Sequence, residues 1–273
     1  KAHFIPKRMG DDNKEESNSS EGCLDIPTLE GGSTYKYLGI EQTFGLHESD
    51  TWDRVEEKCS IVVRQIWESD LTFRQKVHSY NTKVIPALRY VVMNSVRGLG
   101  KYQSVLKRAE KFDIKTRRIL VQLKVRYKAS CVSRLYLATE LGGYGLKSVR
   151  DALLEGTIYS WAYLCTSEEL RTSLHLFSSM AGRSKRSVIS DAGSVLKTYR
   201  IHAEPVSDAA AVIVAGTRFT DARALARYVM GEIRTENNIT RMKEWEAKEL
   251  GGRVLRSGNI DRRASFVWLQ TGK

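Results

Sequence analysis

Before residue 49 the apolar positions come in short bursts, and after it they recur every three or four residues over long spans. Lys1 to Pro6, through Ala2, Phe4 and Ile5, predicts a short strand. Residues 7–21 hold Gly, Asp, Asn, Ser, Glu and basic residues with Met9 as the lone apolar one, the composition of a solvated loop. Cys23-Leu24-Asp25-Ile26-Pro27 and Tyr35-Lys36-Tyr37-Leu38-Gly39-Ile40 are short β-prone runs. Glu30-Gly31-Gly32-Ser33 between them predicts a small hairpin.

Helical spacing then takes over. Ser49 or Asp50 can cap a helix from about Thr51, whose apolar stripe is Trp52, Val55, Cys59, Val62, Val63 and Ile66. A second helix is expected from about Thr72 to Val96, with Val77, Tyr80, Val84, Leu88 and Val92 inward. Pro86 removes a backbone donor and crowds the previous turn, so it should kink or divide that helix, and Gly98 and Gly100 should end it. A third runs from about Lys101 to Lys124 on a seam of Tyr102, Val105, Ala109, Phe112, Thr116, Ile119 and Leu123. Three such helices joined by short loops predict a compact bundle.

Leu141-Gly142-Gly143-Tyr144-Gly145-Leu146 reads as a turn, where glycine tolerates positive φ. Helices are expected from near Ser148 to about Cys165 and over Ser167 to Met180, then a basic linker at Gly182 to Arg186 with Arg183, Lys185 and Arg186. A final helical portion is placed at about Ser207 to Glu249, broken around 214–217 and 236–239. No internal repeat is present. The predicted class is mainly α with a small N-terminal β-hairpin, and only four prolines in 273 residues agree with long helices.

Charge changes the picture more than composition does. An apolar content of 41% is ordinary, but the net charge of +12 points to a polyanionic partner. Between Arg74 and Arg150 there are 18 Lys+Arg and 3 Asp+Glu, or +15, so the other residues hold 26 basic and 29 acidic, or −3. The positive excess belongs to one segment, as in a protein with one nucleic-acid-facing module. A membrane partner fits less well. The longest apolar runs, Val84 to Met93 (interrupted by Pro86 and Arg89) and Ala209 to Ala215, fall far short of the roughly 20 residues needed to span a bilayer. Lys1 to Gly10 lacks the apolar stretch of a secretory signal, and with no initiator Met it reads as the interior of a longer chain.

Lys107, Lys111, Lys115 and Arg118 fall at i, i+4, i+8 and i+11 and line one side of the third helix. Lys124, Arg126 and Lys128 follow at alternating positions. A charged helix face is ordinarily no more than a solvated face. Here only Glu110 and Asp113 are available to pair with the row, which favours a track for phosphates. Met9-Gly10-Asp11-Asp12 resembles a paired-aspartate metal turn on paper, but Asn13-Lys14-Glu15-Glu16 cannot form the second apolar strand, and a surface loop is the better reading. Cys23, Cys59, Cys131 and Cys165, like the five histidines, are scattered without zinc spacing and read as free structural thiols of a reducing compartment. Gly142-Gly143-Tyr144-Gly145 lacks the Lys-Ser/Thr of a P-loop. The five tryptophans, Trp52, Trp67, Trp161, Trp245 and Trp268, are expected in core packing.

Tyr35-Lys36-Tyr37-Leu38-Gly39-Ile40 resembles the fKYLGi segment that follows the palm in LINE-like, non-LTR retrotransposon reverse transcriptases. Lys1 and the strand after it resemble the end of the preceding palm motif. Trp52 and the run from Lys76 through Asn81-Thr82-Lys83-Val84-Ile85-Pro86-Ala87-Leu88-Arg89-Tyr90 look like that family's thumb helices. Leu141 to Ser148 is similar to the GGLGL-x-S at the start of its post-thumb linker. Trp245 through Trp268-Leu269 resembles the later linker of elements with a restriction-like endonuclease. The likeness does not extend over 182–241. The family's palm aspartates, Cys/His knuckle and endonuclease carboxylates are not in this chain.

The resemblance implies the end of a palm with its primer-grip hairpin over 1–48, a helical thumb over 49–140 and a helical linker over 141–273. It implies that Tyr37, Leu38 and Gly39 sit near a primer 3′ end and that Lys76 and Lys83 belong to the gripping surface. With Lys107, Lys111, Lys115, Arg118, Lys124, Arg126 and Lys128 they make the candidate nucleic-acid-binding set. No catalytic or metal-ligating residue and no cofactor is assigned to this chain, the Mg2+ of such a polymerase belonging to the parent protein. The expected partners are an RNA template, a DNA primer and the rest of that polymerase, in an intracellular, nuclear setting without a membrane. The alternative is a domesticated, non-catalytic RNA- or DNA-binding scaffold derived from such an element.

Overall fold

The computed structural model describes residues 35–37, 40–42, 48–94, 102–183, 186–206, 209–249 and 251–257. Strands β1 (Tyr35–Tyr37) and β2 (Ile40–Gln42) pair antiparallel, Tyr37 opposite Ile40. The second β-prone run thus contributes to both strands, on either side of Leu38 and Gly39. Those two residues, the 1–27 segments and Trp268 lie outside the described residues.

Helix α1 spans Glu48–Glu68, starting earlier than expected, so Ser49 and Asp50 lie inside it instead of capping it. Trp52, Cys59, Val63, Ile66 and Trp67 are buried along its stripe, with Val55 and Val62 partly so. Thr72 and Gln75 form a reciprocal capping box ahead of α2 (Phe73–Ser79). Tyr80–Val84 then forms a π-helical turn, the Ile85 N–H reaching back to the Tyr80 carbonyl, before α3 (Ile85–Asn94). The division falls just ahead of Pro86, where a ring without a donor makes the wider turn the cheaper path.

Helix α4 (Tyr102–Gln122) buries Tyr102, Val105, Ala109, Phe112, Thr116 and Ile119, the seam expected from periodicity. It stops in a Schellman turn: Val125 N–H bonds the Leu120 carbonyl at 2.9 Å and Lys124 N–H that of Val121 at 3.1 Å. Lys124 occupies the left-handed position at φ 56°, a place where glycine is usual. A short α5 (Val132–Tyr136) leads into the 141–146 turn, which folds back on it through Tyr144 N–H to Arg134 O and Leu146 N–H to Leu135 O. Asn81 fastens that turn to the π-helical segment, donating to Gly145 O and accepting from Lys147 N–H, both at 2.9 Å.

Helix α6 (Val149–Thr166) is the centre of the molecule. Ten of its residues, Val149 to Cys165, are buried, and it packs on α3, α4, α8 and α9. A helix apolar nearly all round has no other stable place than the interior. Its N-terminus is capped twice, by the Ser148 hydroxyl, which accepts from Asp151 N–H at 3.0 Å, and by Asp113 from α4, whose carboxylate accepts from Val149 N–H at 2.8 Å. One core cluster runs from Trp52 to Ile233, through residues on both sides of 140.

Helix α7 (Arg171–Gly182) starts later than the predicted Ser167 and runs two residues past Met180, and α8 (Val188–Thr198), opened by a Ser187–Ser190 capping box, was not expected. The helical portion placed at 207–249 is corrected. A three-stranded antiparallel sheet, β3 (Ala203–Pro205), β4 (Val212–Val214) and β5 (Thr217–Phe219), precedes α9 (Ala222–Glu246). Ala215 and Gly216, both at positive φ, make the two-residue turn that matches hairpin twist. Helix α9 also runs unbroken through 236–239, because Ile233, Met242 and Trp245 keep one face buried across that stretch. α10 (Arg253–Arg256) follows. Trp52, Trp67, Trp161 and Trp245 are all core residues.

Candidate nucleic-acid interface

At about 100° per residue, Lys107, Lys111, Lys115 and Arg118 fall within an arc of roughly 80° on α4, opposite its buried seam. All four are exposed. The ridge is roughly 16 Å long at 1.5 Å per residue, which matches about five base-pair rises of a duplex. Its own helix does not neutralise it. Glu110 turns to Arg150 at 3.0 Å, and Asp113 is buried at the start of α6. Among the described residues no ion pair forms at Lys107, Lys111 or Arg118. The neighbouring helix does take part: Glu56 of α1 lies 3.8 Å from Lys115, and Asp53 bonds Arg108. The free stretch is therefore Lys107, Lys111 and Arg118, with Lys115 at its edge, shared with α1.

The remaining predicted residues do not extend this line. Lys124, Arg126 and Lys128 are not an alternating row, because the Schellman turn and the turns after it replace any extended backbone. Lys124 and Lys128 are exposed, whereas the half-buried Arg126 donates to Ser130 O at 2.6 Å, and burial lowers its pKa. Lys76 turns its ammonium to the Trp67 carbonyl at 3.1 Å, and so joins α2 to the end of α1. Lys83 is exposed on the π turn. Tyr37 lies on β1, and β2 packs against α1, the helix that also carries Glu56. Leu38 and Gly39 are outside the described residues.

A groove missed by sequence reading lies beyond the end of α4. It has a volume of about 800 Å³ and is walled by Phe73, Tyr127, Tyr144 and Trp245, with Arg126 and Lys248 at its edge. Arg134 is held between Tyr144 and Trp245, 4.9 and 4.6 Å from the ring centres. Tyr127 is 84% exposed, so one aromatic face is open to a stacking partner. No sequence signal marks this groove, since its walls come from four distant segments.

Asp113 links this surface to the core. Burial pushes its carboxyl up to about 7, although the N–H bonds from Val149 and Arg150 pull it down. The unfolded carboxyl titrates near 3.9, so between the two values the folded chain holds the extra proton, and stability falls as pH rises from about 4 to about 7. The loss is at most about 4 kcal/mol. Asp113→Asn should flatten this decline in denaturant midpoints measured from pH 4 to 8. An identical pH dependence in the two proteins would exclude Asp113 as its source.

Comparison with family models, with curated proteins and with solved structures gave no match. Among the described residues no helix is long and apolar enough to cross a membrane, and no three His, Cys, Asp or Glu gather where they could hold a metal ion.

Proposed function

We propose that this chain grips nucleic acid as the thumb-and-linker part of a non-LTR retrotransposon RNA-directed DNA polymerase, holding template and primer during target-primed reverse transcription. The observation that supports it is the α4 ridge, where the +15 excess of residues 74–150 presents Lys107, Lys111 and Arg118 to solvent without carboxylate partners. Contacts of this kind are to phosphate, so they position a duplex without reading its sequence. The hairpin containing Tyr37, Leu38 and Gly39 carries the primer-grip role in this reading, and a nuclear site of action goes with it. The Mg2+-dependent chemistry belongs to the rest of the parent polymerase.

Two duplexes of unrelated sequence should bind with the same affinity at one salt concentration in a fluorescence titration. A preference above about 1.4 kcal/mol, or tenfold, would mean that bases are being read, against this proposal.

A further inference from the structure

The residues after 150 hold 18 Lys+Arg against 14 Asp+Glu, a net of only +4, yet the fold collects arginines there. Arg223, Arg227, Arg234 and Arg241 lie at i, i+4, i+11 and i+18 on α9, within roughly 40° of one another around the helix. The later two are matched by the facing helix α6. Arg234 donates to Glu155 at 2.8 Å, and Arg241 bonds Asp151 and the Tyr136 carbonyl. One turn further along α6 from Asp151 and Glu155, the same face presents Tyr159 in place of a carboxylate. The arginine row outlasts its acidic partners.

At that end α3 adds a third cation. Arg89, Tyr159, Arg223, Arg227 and Arg234 line one groove of about 410 Å³ between α3, α6 and α9. Gly156 makes the close approach possible: a Cβ there would meet Met93 Cγ at 2.8 Å and Arg89 Cγ at 3.3 Å. The one carboxylate in the lining, Glu155, is taken by Arg234. Among the described residues Arg89, Arg223 and Arg227 have no ion-pair partner. Tyr159, which lines the groove, and Tyr163, one turn further along α6, are 38% and 51% exposed.

We propose that this groove binds the phosphodiester backbone of a single nucleic-acid strand, Arg89, Arg223 and Arg227 holding phosphates while Tyr159 and Tyr163 offer faces on which unpaired bases stack. A groove of this volume is too narrow for a duplex, and stacking on tyrosine requires bases free of their partners. The inference deepens the proposed gripping role and rests on it, adding a seat for a strand outside the duplex held by α4.

The test titrates a short single-stranded oligonucleotide and a blunt duplex against the full chain. It compares the unaltered protein with Arg223→Glu/Arg227→Glu, with Tyr163→Ala and with the α4 variant Lys107→Glu/Lys111→Glu/Arg118→Glu. Both arginines are exposed and unpaired, so the fold should survive their replacement. The arginine variant is expected to lose roughly tenfold or more on the single strand, with the slope of log affinity against log salt shrinking by about 1.4, and to keep its duplex affinity. Tyr163→Ala should weaken the single strand and leave the salt slope alone. Unchanged single-strand binding in the arginine variant overturns the proposal, as does an equal loss on the blunt duplex. Inorganic phosphate that displaces the strand at millimolar concentration, with a displacement that depends on Arg223 and Arg227, would also overturn it in favour of a small-anion site. If the α4 variant alone leaves duplex binding intact, the gripping role of the ridge fails, and the groove is judged on its own result.

Discussion

The triple variant Lys107→Glu/Lys111→Glu/Arg118→Glu is expected to bind duplex DNA more weakly by two to three orders of magnitude at about 0.1 M salt. Each phosphate neutralised contributes about −0.9 to the slope of log affinity against log salt, so loss of three contacts removes about 2.7 from it. Every duplex should suffer alike, because the lost contacts carry no base information. The choice of residues follows from the geometry. These three are exposed and without carboxylate partners, while Lys115 leans on Glu56 and would confound lost binding with an altered α1–α4 contact. Since the α4 seam is buried on the opposite side, thermal stability should change little. Unchanged binding in a folded triple variant would take α4 out of the interface.

The largest stability effect is expected from Gly143→Ala. A Cβ at 143 would lie 2.0 Å from the Leu137 carbonyl oxygen and 2.4 Å from its carbon. The obstacle is backbone, which no rotamer change can clear. Nor can the Leu137 segment withdraw easily, since its side chain is fully buried with Met242, Trp245 and Leu255, and its carbonyl accepts from Gly145 N–H at 3.0 Å. A loss of about 4 kcal/mol or more is expected, read as a fall in denaturant midpoint. Gly193→Ala on α8 is the matched control: nothing lies within 4 Å of its Cβ, and it should gain about 0.5–1 kcal/mol from helix propensity alone. A Gly143→Ala protein as stable as the unaltered chain would mean that the 141–146 turn does not sit against Leu137 as described.

The parts legible in sequence were those fixed by local rules. The α1 and α4 stripes and the start of α6 near Ser148 follow from local spacing, and the break ahead of Pro86 from its missing donor. The sheet at 203–219 was not legible, because three-residue strands carry too little alternation to separate Val212-Ile213-Val214 from a helical run. Asn237-Asn238-Ile239 looked like a break because those residues are poor helix formers, yet the buried face of α9 carries the helix through them. On the candidate surface, the spacing placed Lys107, Lys111, Lys115 and Arg118 on one exposed side of α4. What it could not show was the commitment of individual cations: Lys76 to a carbonyl, Arg126 to its own turn, Lys115 to Glu56. The α3–α6–α9 groove was hidden for the opposite reason. Glu232, Glu236, Glu244 and Glu246 offset the α9 arginines in any count along the chain, and only the helix shows that Glu232, Glu236 and Glu246 fall on the far side from the arginine row.

A solvent-facing line of unpaired cations on α4 is proposed to meet phosphate, and the salt dependence of duplex DNA binding by the unaltered chain is the sharpest test of it. If about six phosphates are neutralised, log affinity should fall against log salt with a slope near −5. A slope near zero, or no binding at low salt, would contradict it.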